Sequence, residues 1–188
     1  MVFKSLKKVE QGKYLTYYVA EYINELGHTK YYEFFSRDNN LTAESFGKNV
    51  PTGVGMVTFS VDRSKVLLLK EFRLPTKRWV YNFPGGLIDE GETPEQASKR
   101  EIFEETGLTL VQIEAVLPPS YASPATSDEL MHIVIGRCQG EIKPSCFEDE
   151  EIQAGWYDKE QIKKLLEEGA YMSTRTQMFL YMWAYSEE

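Results

Sequence analysis

Apolar and polar positions change their spacing several times along the chain, and each change marks an element. Residues 14–20 (Tyr-Leu-Thr-Tyr-Tyr-Val-Ala) are aromatic and β-branched, Glu25-Leu26-Gly27-His28 is a turn, and the aromatic run resumes at 31–35, which predicts a β-hairpin over 12–37. Residues 38–53 carry Asn39-Asn40, Gly47 and Pro51 and predict a loop. Apolar runs at 54–60 and 66–72 flank a polar turn at 61–65, as paired strands would, and 80–83 leads into a Pro84-Gly85-Gly86 loop. The spacing then lengthens to a helix over 93–106: Thr93 suits the cap, Pro94 the first helical position, Gln96 closes a capping box and Gly107 ends it. Strands at 110–117, 130–138 and 153–157 and helices at 159–168 and 175–185 complete the pattern. There is no internal repeat and no low-complexity linker. Strands before, between and after helices predict an α+β protein, an α/β/α sandwich, with the N-terminal hairpin as a small subdomain.

Composition narrows what such a chain can do. With 188 residues, 42% of them hydrophobic, ten Phe and twelve Tyr, it is long enough for one globular core. A formal net charge of −8 gives no electrostatic footprint for a nucleic-acid polymer. The same charge repels a phosphorylated small molecule unless arginines or bound cations reverse the field locally, so a metal requirement is expected. Cys138 and Cys146 have neither CxxC spacing nor the density of a disulfide framework, which fits a reduced, cytoplasmic setting. The lysines near the N-terminus are interrupted by Glu10, Gln11 and Gly12 rather than followed by an apolar signal core, and no apolar stretch is long enough to span a bilayer. No membrane partner is therefore expected. His28 sits in a turn and His132 in an apolar strand, so neither suggests a triad or a zinc site, and no Walker-type loop is present.

Glu101, Glu104 and Glu105 fall at i, i+3 and i+4, on roughly one face of the helix, with Arg100 at its edge. Like charges at that spacing weaken a helix by about 0.2–0.5 kcal/mol per pair, so the bland expectation is a solvated acidic face. Glutamate-rich surface helices are ordinary. The wider spacing changes the reading: Gly86, five residues, Glu92, seven residues, then Arg100-Glu101-Ile102-Phe103-Glu104-Glu105-Thr106-Gly107-Leu108. This arrangement resembles the signature box of the Nudix family at every defining position. A hard cation such as Mg²⁺ takes oxygen ligands, often one or two carboxylates shared with substrate phosphates, and clustered glutamates supply that charge. Glycines at 85 and 86 let backbone approach a metal or phosphate without a Cβ in the way.

The resemblance implies a Nudix fold, a mixed β-sheet between helices, with 1–45 a hairpin subdomain used for dimerisation and 46–188 the hydrolase domain. It implies Mg²⁺, with Mn²⁺ the alternative, and hydrolysis of a phosphoanhydride. By motif position Glu101 and Glu105 are the expected direct ligands, Glu104 a further or water-mediated one, and the Gly85 carbonyl another contributor. Gly86, Glu92, Arg100 and Gly107 hold the loop and helix, and Ile102 buries the back of the helix.

Beyond the box, Ser123-Pro124-Ala125-Thr126-Ser127-Asp128-Glu129 is similar to a signature of the ADP-ribose and nucleoside-diphosphate-sugar branch, whose proline follows the box by sixteen residues, as Pro124 follows Leu108. Ala125 stands where that branch often has glycine, which leaves the sugar open. Glu148-Asp149-Glu150-Glu151-Ile152 resembles the branch's acidic loop, with Glu148 in the place of the catalytic base and Glu150 of a further ligand. Arg37 and Arg73 fall where such enzymes contact phosphate or ribose, a task suited to the arginine fork, and Glu129 is a further substrate contact. Trp79 and Tyr81 read as core more readily than as base-stacking residues. The expected substrate is ADP-ribose, giving AMP and ribose 5-phosphate. GDP-mannose, another nucleotide sugar, a dinucleoside polyphosphate, or a non-catalytic nucleotide-sensing role are the alternatives. Relatives of this kind commonly form homodimers whose N-terminal strands reach across to the partner, so a homodimer is expected.

Overall fold

The computed structural model describes residues 1–146 and 151–187. They form two compact units, Met1–Thr52 with Pro119–Met131, and Gly53–Pro118 with His132–Glu188.

In the first unit β1 (Val2–Gln11), β2 (Thr16–Ile23) and β3 (Thr29–Ser36) make an antiparallel sheet in the order β1-β2-β3. The expected hairpin is β2–β3. Its turn contains Gly27 at φ 81°, and the Asn24 side chain accepts from the N–H groups of Leu26 and His28. β1 is a third strand that the sequence pattern did not predict: only Phe3 and Leu6 along it are partly buried, so it lacks an apolar alternation. Tyr18, Ala20 and Phe34 form the core of this unit. The fully buried Tyr18 hydroxyl donates to the Asp38 carbonyl and accepts from Leu41 N–H, which pins the expected loop over 38–53 to the sheet.

The second unit is built from β4 (Gly53–Ser60), β5 (Val66–Arg73), β6 (Arg78–Asn82), β7 (Gly85–Leu87), α1 (Pro94–Thr106), β8 (Thr109–Val116), and, after the two-residue β9 (Ser120–Tyr121) of the first unit, β10 (Leu130–Gln139), β11 (Ile152–Tyr157), α2 (Lys159–Glu167) and α3 (Thr174–Ala184). The sheet order is β11-β5-β4-β10-β8, with β6 on β5 and β7 on β4, while β9 pairs with Leu130 and Met131, the first two residues of β10, which belong to the first unit. Side chains alternate across a strand, and here they sort into two cores. Val54 and Met56 of β4 and Leu67 of β5 join Ala97 and Ile102 of α1. Val57, Phe59, Val66 and Leu68 join Ile162 of α2 and Leu180 and Ala184 of α3. The sheet therefore lies between α1 on one face and α2 and α3 on the other, the α+β sandwich expected.

Gly85 and Gly86, expected in a loop, instead lie in β7, paired with Gly55 and Val54. The reason is a close backbone approach: a Cβ on Gly85 would come 2.7 Å from the Val54 carbonyl oxygen. α1 is capped as its sequence predicts, with Thr93 and Gln96 forming the reciprocal box and Gly107 ending the helix at φ 72°. No helix among the described residues is long and apolar enough to cross a membrane.

Candidate functional site

α1 is held against the sheet by the fully buried Ala97 and Ile102, and this brings part of its acidic face inward. Glu101 and Glu105 each retain only 7% exposure, so the solvated acidic face that helix spacing alone suggests does not describe them. Burial pushes the Glu101 carboxyl up from the ordinary carboxylate range, an effect that the hydrogen bond and charge of Arg100 only partly oppose.

The backbone of β7 lies directly against these two carboxylates. Gly85 N–H donates to Glu105 Oε2 at 3.1 Å. A Cβ on Gly86 would fall 2.1 Å from the Glu101 carboxyl, so residue 86 must be glycine for that carboxylate to stay where it is.

Arg100 ties the site together. Its Nε and Nη2 donate to the two oxygens of Glu92 at 3.1 and 2.8 Å, a bidentate pair, and Nη2 also donates to the Leu87 carbonyl at 2.9 Å. Nη1 donates to Glu101 at 2.7 Å and to Glu104 at 3.1 Å. Glu92 in turn accepts from Asp89 N–H at 3.1 Å, and Arg100 is the first cause that holds its carboxyl below the usual range. Glu92 and Arg100 thus fasten the 87–92 loop to the helix. Gly107 closes the helix with its N–H on the Phe103 carbonyl at 2.8 Å.

The segment after β10 returns to the end of α1: Lys143 N–H donates to the Thr106 carbonyl at 2.8 Å and Cys146 N–H to the Glu104 carbonyl at 2.9 Å. On the far side of the acidic stretch, the Glu151 carbonyl accepts from Phe72 N–H at 3.1 Å. Glu148 and Glu150 lie outside the described residues.

Arg73, at the end of β5, pairs with Glu71 at 2.8 Å. In the first unit Arg37 and Glu129, both expected substrate contacts, form one ion pair, Nε to Oε1 at 2.6 Å. Trp79 packs edge-on against Phe72 and Tyr81 edge-on against Tyr157, as core residues do, with the Lys70 ammonium 5.6 and 5.9 Å from their ring centroids. His132 Nδ1 lies 3.0 Å from the Leu117 carbonyl, a structural contact.

The residues around Glu101 suit a hard divalent cation. The donors are all oxygen, two of the three carboxylates are nearly buried, and glycine backbone leaves the carboxylates room. Among the described residues no three acidic, imidazole or thiol side chains are gathered tightly enough to coordinate an ion by themselves. A site that shares its ion with substrate phosphates requires only one or two protein carboxylates.

A family profile for the NUDIX domain matches residues 50–176. The chain belongs to the Nudix family. An ADP-ribose pyrophosphatase of Bacillus subtilis (strain 168) is 30% identical over 126 residues, 66% of this chain and 68% of that protein. An ADP-sugar pyrophosphatase of Mus musculus is 26% identical over 133 residues, 71% of this chain and 59% of that protein. An ADP-ribose pyrophosphatase of Escherichia coli (strain K12) is 28% identical over 123 residues, 61% of this chain and 58% of that protein. The chain thus spans less than two thirds of the mouse and E. coli relatives. The crystal structure of an ADP compounds hydrolase superposes with a TM-score of 0.72 over 96% of this chain and 91% of that one, at 21% identity, which shows the shared fold. This Nudix hydrolase falls with the ADP-ribose and nucleoside-diphosphate-sugar pyrophosphatases that its box and its 123–129 stretch resemble.

Proposed function

We propose that this Nudix hydrolase cleaves the diphosphate of a nucleoside diphosphate sugar, and that its substrate is ADP-ribose, split by water into AMP and ribose 5-phosphate. The observation that carries the reading is the pair of nearly buried carboxylates, Glu101 and Glu105, set against the Gly85-Gly86 backbone and braced by Arg100. Arg100 already supplies one positive charge to Glu101, and a divalent cation would add the charge that two carboxylates so nearly buried on one face can hold.

Glu101 and Glu105 would hold a divalent cation, Mg²⁺ in the first instance and Mn²⁺ as the alternative, assisted by Glu104, the Gly85 carbonyl and Glu150. Such an ion, when bound, neutralises diphosphate oxygens and lowers the pKa of water. The remaining work belongs to side chains. Arg37 and Arg73 orient the phosphates or ribose, with Glu129 accepting from ribose hydroxyls. Glu148 takes the proton of the attacking water as its oxygen bonds to phosphorus and the bridging P–O bond breaks. Arg100 and Glu92 keep the loop and α1 in register throughout.

The reading also includes a homodimer formed through the N-terminal subdomain, 1–45. Tyr31 and Phe35 lie on one face of β3, on either side of Glu33, with 66% and 46% of their surface exposed, and these aromatic rings are suited to packing against a second copy.

A panel of nucleotide sugars, dinucleoside polyphosphates and nucleoside triphosphates, assayed for nucleoside monophosphate release, tests the substrate assignment. Preference for ADP-ribose supports it, preference for another nucleotide sugar moves it within the same chemistry, and turnover of triphosphates alone refutes it.

A further inference from the structure

The 123–129 stretch is zipped along β3 by a series of hydrogen bonds. Tyr32 donates its hydroxyl to the Ala125 carbonyl at 2.8 Å, and Phe35 N–H donates to the Thr126 carbonyl at 2.9 Å. Ser36, 3% exposed, donates its hydroxyl to Asp128 Oδ2 at 3.0 Å, and Asn49 Nδ2 donates to the Asp128 carbonyl at 2.9 Å. The residues that follow Ser36 and Asp128 make the Arg37–Glu129 ion pair at 2.6 Å.

Asp128 is therefore clamped through both its side chain and its main chain, and it grips the residue just before Arg37 while standing just before Glu129. Ser36 also accepts from Asp38 N–H at 3.1 Å, so the backbone on both sides of Arg37 is fixed. Among the described residues Arg37 makes this one ion pair, with 39% of its side chain exposed. A cleft of about 130 Å³ opens beside it, with Arg37, Lys48 and Glu129 on its wall alongside apolar Leu41, Val50 and Leu130. An arginine on a flexible stem loses rotamer freedom when it binds an anion, and a guanidinium already held through Nε loses less.

We propose that Asp128 is a positioning residue for substrate recognition: by joining Ser36 and Asn49 it fixes the Arg37–Glu129 pair so that the guanidinium is presented, already oriented, to a phosphate or ribose of the substrate. The proposal rests on the reading above that Arg37 and Glu129 contact substrate. Asp128 touches no reacting atom and acts through Arg37.

The test compares Asp128→Ala, Asp128→Asn, Ser36→Ala, Arg37→Ala and the Asp128→Ala/Arg37→Ala double variant in the full chain. It measures kcat and KM for ADP-ribose and, by calorimetry, the Kd for ADP-ribose, with thermal unfolding to establish that each variant is folded. Asp128→Ala is expected to raise KM and Kd about tenfold with kcat within about twofold, since an interaction made equally in ground and transition states has been lost. Asp128→Asn, whose amide oxygen still accepts from Ser36, restores most of the loss, and Ser36→Ala reproduces it if Asp128→Ala does not fold. The double variant binds no worse than Arg37→Ala alone, because two residues acting through one contact are not additive. If Arg37→Ala weakens binding while Asp128→Ala and Ser36→Ala do not, or if the effects multiply in the double variant, the positioning role is refuted and the Arg37 contact survives. If Arg37→Ala changes neither KM nor Kd, or the parent protein neither binds nor turns over ADP-ribose, the substrate-contact reading falls and the positioning role with it.

Discussion

At the scale of single residues, the site depends on which carboxylates are kept from water. Helix spacing places Glu101, Glu104 and Glu105 together but does not say which are buried. That depends on Ile102, which lies on the same inward side of α1 as Glu101 and Glu105 and is driven fully into the core, so that the two carboxylates sink with it to 7% exposure. Gly86 is the complementary requirement. Gly86→Ala would place a methyl 2.1 Å from the Glu101 carboxyl, and either β7 or that side chain must give way. The expected outcome is a loss of turnover with a stability cost of about 1–3 kcal/mol, read by activity and denaturant unfolding of the same sample. Near-parental activity would show that the close approach has no functional consequence.

The two cysteines offer a second residue-scale test. Burial pushes the Cys138 thiol up to about 12, whereas Cys146 is exposed. A thiol reacts as its thiolate, so at pH 8 an alkylating reagent is expected to modify the folded protein once, at Cys146, and Cys138 only after denaturation. Two rapid adducts on the native chain, located by peptide mass spectrometry, would contradict the burial of Cys138.

At the scale of elements, α1 was legible because its start and stop signals are local. Thr93, Pro94, Gln96 and Gly107 each act within one turn, and the helix forms between them as the spacing predicts. Strands β1 and β7 were not legible, for different reasons. β1 is an edge strand with almost no buried side chain, so its sequence reads as polar. β7 is Gly85, Gly86 and Leu87, whose strand character comes from pairing with Gly53, Val54 and Gly55 of β4. The helix itself should tolerate losing its cap better than losing its anchor. Thr93→Ala is expected to cost about 1 kcal/mol. Ile102→Ala is expected to cost about 2–5 kcal/mol through the cavity it leaves. Urea titration of both variants checks the order, and equal costs would mean that packing against the sheet is not what sets α1 in place.

At the scale of the whole molecule, net charge −8 and a site of clustered carboxylates set the terms for a phosphorylated substrate. A bound divalent cation would stabilise the folded protein by mass action. Millimolar Mg²⁺ is therefore expected to raise the Tm of the parent chain by several degrees and that of Glu101→Gln or Glu105→Gln by little, and equal shifts in all three would place the ion elsewhere. Light scattering in solution tests the homodimer, and a monomer at micromolar concentration would refute it. The family and its chemistry could be read from the box because that signal is contiguous in sequence. The meeting of Arg37 with Glu129 could not, because the two lie 92 residues apart and only the folded first unit joins them. Ser36 and Asn49, which hold that pair in place, carry no local signal at all.

The most direct measurement follows ADP-ribose with Mg²⁺ by chromatography, using the parent protein and folded Glu105→Gln side by side. AMP and ribose 5-phosphate are expected in equal amounts from the parent protein, and a rate lower by about 100-fold or more in the variant. Unchanged turnover by Glu105→Gln, or turnover that persists after the metal is chelated, would contradict the proposed function.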